Sequence, residues 1–437
     1  MNPACRFIAV FAVTLAGCIS GTGGRTNADL RERPAVDLIL NAFEDYPLVA
    51  LSEGAGHGQL DTRDFFTTLI RDSRFPHAVR NIVIEFGNAR YQAVMDRYAS
   101  GEPVARDELR HVWEDTTQVS GIWSLPMYEG MLAAVRSVNA GLPDALRVRV
   151  LLGDPPIDWS TVTSPADEDM NDWRDAHFAS IIDRDVVRRH QRALILIGGA
   201  HISRTVLFPN SLIHLLDSRF PGKTWVVGIL DFGRVDPDIR TRLLGWTVPA
   251  GVAVRDTWLG KVKPERIGFT LSMGGALEDD VDALLLLTAG PPQPSEPAAL
   301  DPMYELELAR RRSLARTTLA FRGAKIRFED NRAVFAEDAD EPLLSVRKEL
   351  LRDRGLRLLV KAFADQAESD AAALSRQRAA LVVDWLAARG VARQRLIPRG
   401  CGAVRPLDFG NSASGRAMNR RAELVRVTPT AGCEPPW

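Results

Sequence analysis

Short apolar runs alternate with longer amphipathic stretches between residues 36 and 290. The apolar runs fall at residues 48–51, 81–84, 148–152, 193–197 and 225–230. The stretches between them, such as 61–74 and 129–140, have the length and period of helices. Strands that alternate with helices predict βαβ units, so the sequence indicates an α/β fold with a mostly parallel sheet.

A different pattern follows a proline-rich segment at residues 289–302, which holds five prolines in fourteen residues. That composition predicts a semi-rigid linker and a domain boundary. Beyond it, residues 341–353 and 373–390 have helical period, whereas 318–328, 356–365, 394–402 and 419–427 are typical of strands. We therefore expect an α/β domain at 36–288 and a smaller α/β sandwich within a second domain at 303–437.

The amino terminus has the features of an export signal. Arg6 precedes an apolar run that is too short to span a membrane as a permanent helix. The run ends Leu15-Ala16-Gly17-Cys18, which resembles the lipobox of bacterial lipoproteins. The resemblance implies a signal peptide at residues 1–17 and lipidation of Cys18, followed by a tether at 18–35. Ile19 after the cysteine implies, by resemblance to Gram-negative sorting rules, the periplasmic face of the outer membrane.

Composition excludes several classes of protein. With 46% hydrophobic and 25% charged residues among 437, the chain is neither disordered nor collagenous. The net charge of −1 gives no indication of nucleic-acid binding. That sum nevertheless hides an asymmetry, because the residues from 317 onward carry +6 and the remainder carry −7.

Candidate chemistry lies where the strands of the first domain are expected to end. The five runs lead into Glu53 and His57, Glu85, Asp154, His201 and Asp231. In open parallel sheets, ligands bind at the carboxyl ends of the strands. Five strands that each deliver an ionisable residue to that edge, with two histidines in glycine-rich turns among them, therefore predict a site.

The two histidine turns share one motif. Residues 54–57 (GAGH) and 198–201 (GGAH) both read GxxH directly after an apolar run. The pair resembles the superfamily of erythromycin esterases, TraB and GumN proteins, Tiki-type proteases and ChaN-like haem-binding lipoproteins. That resemblance implies a site built from Glu53, His57, Glu85 and His201.

The chemistry of this predicted site stays open between several alternatives. A neutral histidine beside a carboxylate supports hydrolysis of an ester, amide or peptide by proton transfer. The same residues offer ligands to a divalent metal that activates water. A haem is the third alternative, with Tyr91, Tyr98 and the two histidines as candidate axial ligands.

Four spaced motifs in the second domain resemble the OmpA-like peptidoglycan-binding domain. They are Ala364-Asp365, LSRQRA at 374–379, the Gly400-Cys401-Gly402 turn with Pro406, and GRAMNRR at 415–421. The resemblance implies that Asp365 and Arg378 hold the diaminopimelate of a peptidoglycan stem peptide. Diaminopimelate carries both an ammonium and a carboxylate. The Asp365 carboxylate can accept hydrogen bonds from the ammonium, and the Arg378 guanidinium can donate two parallel hydrogen bonds to the carboxylate. The loop from Asp365 to Leu374 is two residues shorter than the family pattern and lacks its glycine and Tyr-Asn pair.

Two cysteines remain besides Cys5, within the signal, and Cys18. Cys401 lies in a turn and Cys433 follows the last predicted strand. Export permits a disulfide between them, and two free thiols is the competing interpretation.

The sequence thus predicts an outer-membrane lipoprotein that binds peptidoglycan and carries a periplasmic hydrolase-like domain. A haem or metal uptake lipoprotein is one alternative, and a purely structural membrane-to-wall tether with an inactive α/β domain is the other. No nucleic-acid partner is expected.

Overall fold

The computed structural model describes residues 30–54, 56–162, 174–202, 204, 211–269, 275–297, 299–316, 326–404, 406, 413–427 and 433. Within these residues it contains two β-sheets with helices packed against them, which confirms the predicted mixed α/β fold class. The signal peptide, Cys18 and most of the expected tether lie outside the described residues. No helix among the described residues is long and apolar enough to cross a membrane.

The larger sheet has eight strands in the order β1-β7-β8-β6-β2-β5-β3-β4. The strands are β1 Arg33–Pro34, β2 Leu48–Ser52, β3 Asn81–Asn88, β4 Arg149–Asp154, β5 Ala193–Ile197, β6 Thr224–Ile229, β7 Ala250–Ala253 and β8 Ala283–Leu286. β2, β3, β4, β5, β6 and β8 pair in parallel, whereas β7 and β1 add an antiparallel edge. All five apolar runs are therefore strands.

Helices cover both faces of this sheet. They are α1 Ala35–Asp45, α2 Leu60–Arg71, α3 Phe75–Ala78, α4 Gln92–Ser100, α5 Arg106–Leu109, α6 His111–Glu114, α7 Pro126–Ala140, α8 Arg174–Ile182, α9 Gly199–Ile202, α10 Leu212–Arg219 and α11 Pro237–Leu243. Alternate strand residues enter two separate cores: Val49 and Leu51 pack on one face, Leu48 and Ala50 on the other. Burial on both faces explains why the strands read as continuous apolar runs.

The smaller sheet has four strands in the order β11-β10-β12-β9. They are β9 Ile326–Arg327, β10 Leu358–Ala362, β11 Leu396–Gly400 and β12 Arg421–Arg426. Helices α13 Asp340–Arg352 and α14 Ala371–Ala387 pack their buried residues against this sheet. Helix α15 Ala413–Asn419 directly precedes β12. β10 pairs in parallel with β11 and antiparallel with β12. Cys401 and Cys433 are joined by a disulfide. Residues 318–325 of the stretch expected to form strands at 318–328 lie outside the described residues, and Ile326–Arg327 form β9.

The proline-rich linker and the helix after it contact the domain that contains the eight-stranded sheet. The Ser295 amide donates to the Gly58 carbonyl at 2.7 Å. Helix α12, Pro302–Arg316, buries Leu308 and Arg311, and Arg311 Nη2 lies 2.7 Å from Asp115 Oδ1. The linker therefore lies next to the glycine turn that carries His57.

Candidate functional site

The carboxyl ends of β2, β5, β3 and β4 lie side by side in the sheet and bring four predicted residues together. Glu53 follows β2, Glu85 lies in β3, Asp154 ends β4 and His201 lies in α9 just after β5. The structure therefore gathers Glu53, His57, Glu85 and His201, as the motif predicted. Asp231, after β6, instead accepts the Gly233 amide and faces Arg234 at 3.2 Å, which is the geometry of an ordinary loop carboxylate.

A buried carboxylate fixes the orientation of His57. His57 Nδ1 lies 2.9 Å from Glu53 Oε2, and Glu53 is 2% exposed. The Tyr128 hydroxyl donates to the same oxygen at 2.9 Å and accepts the Gly58 amide at 3.1 Å. Because Nδ1 is engaged in this way, Nε2 is the other ring nitrogen of His57, and it lies beside Gly198.

The charge of Glu53 decides the protonation of His57. Burial works against a charged imidazole, but the hydrogen bond and negative charge of Glu53 outweigh it and raise the pKa of His57 above its ordinary value. Trp123 packs edge-on against the ring with centroids 4.4 Å apart. The Trp123 ring and the buried Glu53 carboxylate together hold the His57 imidazole in one orientation.

Glu85 is fully buried among donors. Its Oε1 accepts from Arg174 Nη2 at 3.0 Å and from Gln118 Nε2 at 3.3 Å, while Oε2 accepts the Gly198 amide at 2.6 Å. Burial opposes ionisation, but His201 and Arg174 outweigh it and hold the pKa of Glu85 well below its ordinary value. Glu85 is therefore a carboxylate at neutral pH.

His201 lies between two carboxylates. Its Nδ1 is 2.5 Å from Asp175 Oδ1 and its Nε2 is 3.4 Å from Glu85 Oε1. Burial disfavours the charged ring, but the charges of Asp175 and Glu85 raise the pKa of His201 to about 10. His201 is thus an imidazolium at neutral pH, which leaves His57 as the histidine able to accept a proton.

The charge of His201 makes stability depend on pH. Its pKa rises from about 6.5 in an unfolded chain to about 10 when folded, so its contribution is complete below pH 6.5 and is lost as the pH rises to 10. We expect the free energy of unfolding, measured by urea denaturation, to fall across that window. His201→Gln is expected to flatten the slope, and His77→Gln, at an exposed position of α3, serves as the control. An unchanged slope in His201→Gln would contradict the assignment.

Four important residues were not predicted from the sequence: Gln118, Tyr128, Arg174 and Asp175. Arg174 links Glu85 to Asp154, with Nε 2.9 Å from Asp154 Oδ1. Both Arg174 and Asp175 begin α8, outside any strand-end turn. The sequence does show an acidic residue, Asp175, where the first turn of a helix is expected. That position does not reveal which residue the Asp175 side chain contacts.

The metal and haem alternatives fit the described residues unequally. Ligand atoms of Glu53, His57 and Glu85 lie within 4.8 Å of one another, and Glu53 Oε1 is buried without a partner. This spacing suits a divalent cation, but Glu85 is already compensated by Arg174 and the His201 imidazolium. The haem candidate Tyr91 donates its hydroxyl to Asp115, and the ring face of Tyr98 is covered by the Arg136 guanidinium.

Beside the smaller sheet, Asp365 in the loop after β10 and Arg378 in α14 are both buried, and both contact Glu368. Asp365 Oδ2 accepts from Asn419 Nδ2 at 2.8 Å, and its Oδ1 accepts the Ala367 amide at 2.9 Å. Arg378 is fully buried, and its guanidinium forks onto Glu368 at 2.6 and 2.7 Å. The fork predicted for a ligand carboxylate is therefore made to Glu368 in this conformation.

Comparison with known proteins identifies this second part of the chain. Residues 327–420 match the model of the OmpA family. This part of the chain is an OmpA family domain. The OmpA-like domain is 34% identical over 108 residues to peptidoglycan-binding protein ArfA of Mycobacterium tuberculosis and Mycobacterium bovis. The matched stretch is 24% of this chain and about a third (33%) of those relatives' length.

Two solved structures complete the comparison. The peptidoglycan-associated lipoprotein of Burkholderia pseudomallei is 22% identical, covering 24% of this chain and 89% of its own with a TM-score of 0.23. A Bacillus cereus protein is 12% identical and covers 60% of this chain and 92% of its own, with a TM-score of 0.40. The identification of the OmpA-like domain therefore rests on the family match and on the sequence identity to ArfA.

Proposed function

We propose that this protein is a cell-envelope protein that binds peptidoglycan through its OmpA-like domain. The observation that carries the proposal is the 34% identity of this domain to peptidoglycan-binding relatives, together with the retained Asp365 and Arg378. The net charge of +6 from residue 317 onward supports binding to a polymer rich in carboxylates. A lipid on Cys18 would hold the other end of the chain in the outer membrane, in keeping with the lipobox-like sequence.

We further propose that the larger α/β domain is a hydrolase acting on an ester, amide or peptide. His57 takes a proton from water or a hydroxyl through Nε2, while Glu53 holds its Nδ1 and stabilises the imidazolium that forms. Arg174 and the His201 imidazolium supply positive charge beside the site. The paired GxxH motifs support the same class of reaction by their resemblance to the esterase superfamily.

A binding experiment tests the peptidoglycan proposal. The mature protein is expected to cosediment with purified sacculi, and Asp365→Asn is expected to weaken binding about tenfold or more, because a charged hydrogen bond contributes roughly 1.5–3 kcal/mol. Asp384→Asn, on the exposed face of α14, makes the same charge change away from the site and should bind as wild type. Equal sedimentation of wild type and Asp365→Asn would contradict the proposed role of Asp365.

A further inference from the structure

The carboxylate of Glu368 occupies a complete binding site inside the OmpA-like domain. Its Oε1 accepts from Arg378 Nη2 at 2.6 Å and from the Asn331 amide at 2.8 Å. Its Oε2 accepts from Arg378 Nη1 at 2.7 Å and from the Asp365 amide at 2.9 Å. A guanidinium fork and two backbone amides form a general receptor for one carboxylate.

No donor of this receptor is left for a second carboxylate. Arg378 Nε donates to the Arg332 carbonyl at 3.2 Å, and Nη2 also donates to the Glu329 carbonyl at 2.8 Å. The side chains of Arg378 and Glu368 are 0% and 1% exposed. A ligand carboxylate can therefore reach the guanidinium only after Glu368 has left.

The position of Glu368 allows it to leave. It lies in the loop between β10 and α14, where its neighbours Gln366, Ala367, Ser369 and Asp370 are exposed and Glu368 is buried. Outward movement of the loop would free the receptor without unpacking the core of α14. Because Arg378 stays buried when Glu368 leaves, the open state is costly until a second carboxylate takes the place of Glu368.

We propose that Glu368 is an internal competitor that occupies the carboxylate receptor of the OmpA-like domain, so that a peptidoglycan carboxylate binds only by displacing it. The inference rests on the proposed peptidoglycan function. It assigns a role to the loop that is two residues shorter than the family pattern: the loop supplies the competing carboxylate. Apparent affinity then equals the intrinsic affinity multiplied by the fraction of molecules with Glu368 displaced.

The test compares sacculus binding by wild type, Glu368→Gln and Glu368→Asp in the full mature protein. Glu368→Gln removes the charge and is expected to bind about tenfold or more tightly than wild type. The reason is that Glu368 leaves the receptor open in fewer than about a tenth of wild-type molecules, and the variant removes that restriction. Glu368→Asp keeps the charge on a shorter side chain and should fall between the two. Glu349→Gln, an ion-paired glutamate on α13, is the matched control and should bind as wild type.

Each outcome separates the competitor from the binding function. Folded Glu368 variants that bind no more tightly than wild type would overturn the competitor role while leaving peptidoglycan binding intact. Weaker binding by both variants would overturn it as well, because Glu368 would then be part of the ligand site. If no folded variant binds sacculi, the proposed peptidoglycan function fails and the inference fails with it. Circular dichroism melting establishes which variants are folded.

Discussion

His57→Gln is expected to lower kcat/KM of the proposed hydrolysis by about 10²–10⁴-fold, the usual contribution of a positioned general base. Glutamine retains a polar side chain beside Trp123 but offers no nitrogen lone pair of comparable basicity. The loss should fall mainly on kcat, because proton abstraction belongs to the chemical step. The measurement is turnover of chromogenic esters, amides and peptides by the mature protein.

The pH profile provides a second measurement of the same assignment. A base must be neutral, so kcat/KM should fall as the pH drops through the pKa of His57, which Glu53 raises above its ordinary value. Glu53→Gln removes that charge while burial remains, so the acidic limb should move to lower pH. His190→Gln, on an exposed turn, is the control for histidine loss. Full activity in His57→Gln would exclude His57 as the base.

The sequence predicted the strands and half of the site for one physical reason. Strands buried on both faces read as apolar runs, and the residue after each run must emerge at the sheet edge, so Glu53, Glu85 and His201 could be placed together. Strands β7 and β8 were not predicted. β7 has four residues and includes Gly251, and the apolar run at 283–286 has no period that distinguishes strand from helix.

The partners of these residues could not be predicted because they come from helices distant in sequence. Tyr128 reaches Glu53 from the first turn of α7, and Asp175 reaches His201 from α8. Glu368 illustrates the same limit: the shortened loop was visible in the sequence, but its pairing with Arg378 was not. That an ionisable residue is buried can be predicted from the sequence near it. The identity of the opposite charge that compensates it cannot, because that residue is distant in the sequence.

Arg174→Met is expected to cause the largest loss of stability, about 3–5 kcal/mol in the free energy of unfolding at pH 7, because it removes the ion-pair partner of the buried Asp154 and one of the two cationic partners of the buried Glu85. Glu85 and Asp154 are both 0% exposed, and each lies within 3.0 Å of the Arg174 guanidinium. Methionine fills much of the volume, so the loss should come from charge more than from packing. Arg149→Met breaks an exposed pair with Asp96 and should cost less than about 1 kcal/mol.

Acid should reduce the penalty of Arg174→Met. Without the guanidinium, desolvation raises the pKa values of Glu85 and Asp154, and protonation then neutralises carboxylates that have lost a partner. Urea denaturation followed by tryptophan fluorescence should show a smaller difference from wild type at pH 5 than at pH 7. Adding Asp154→Asn to Arg174→Met should recover part of the stability, since it removes one buried charge. A loss no larger than that of Arg149→Met would mean that His201 and the Gly198 amide suffice to hold Glu85 ionised.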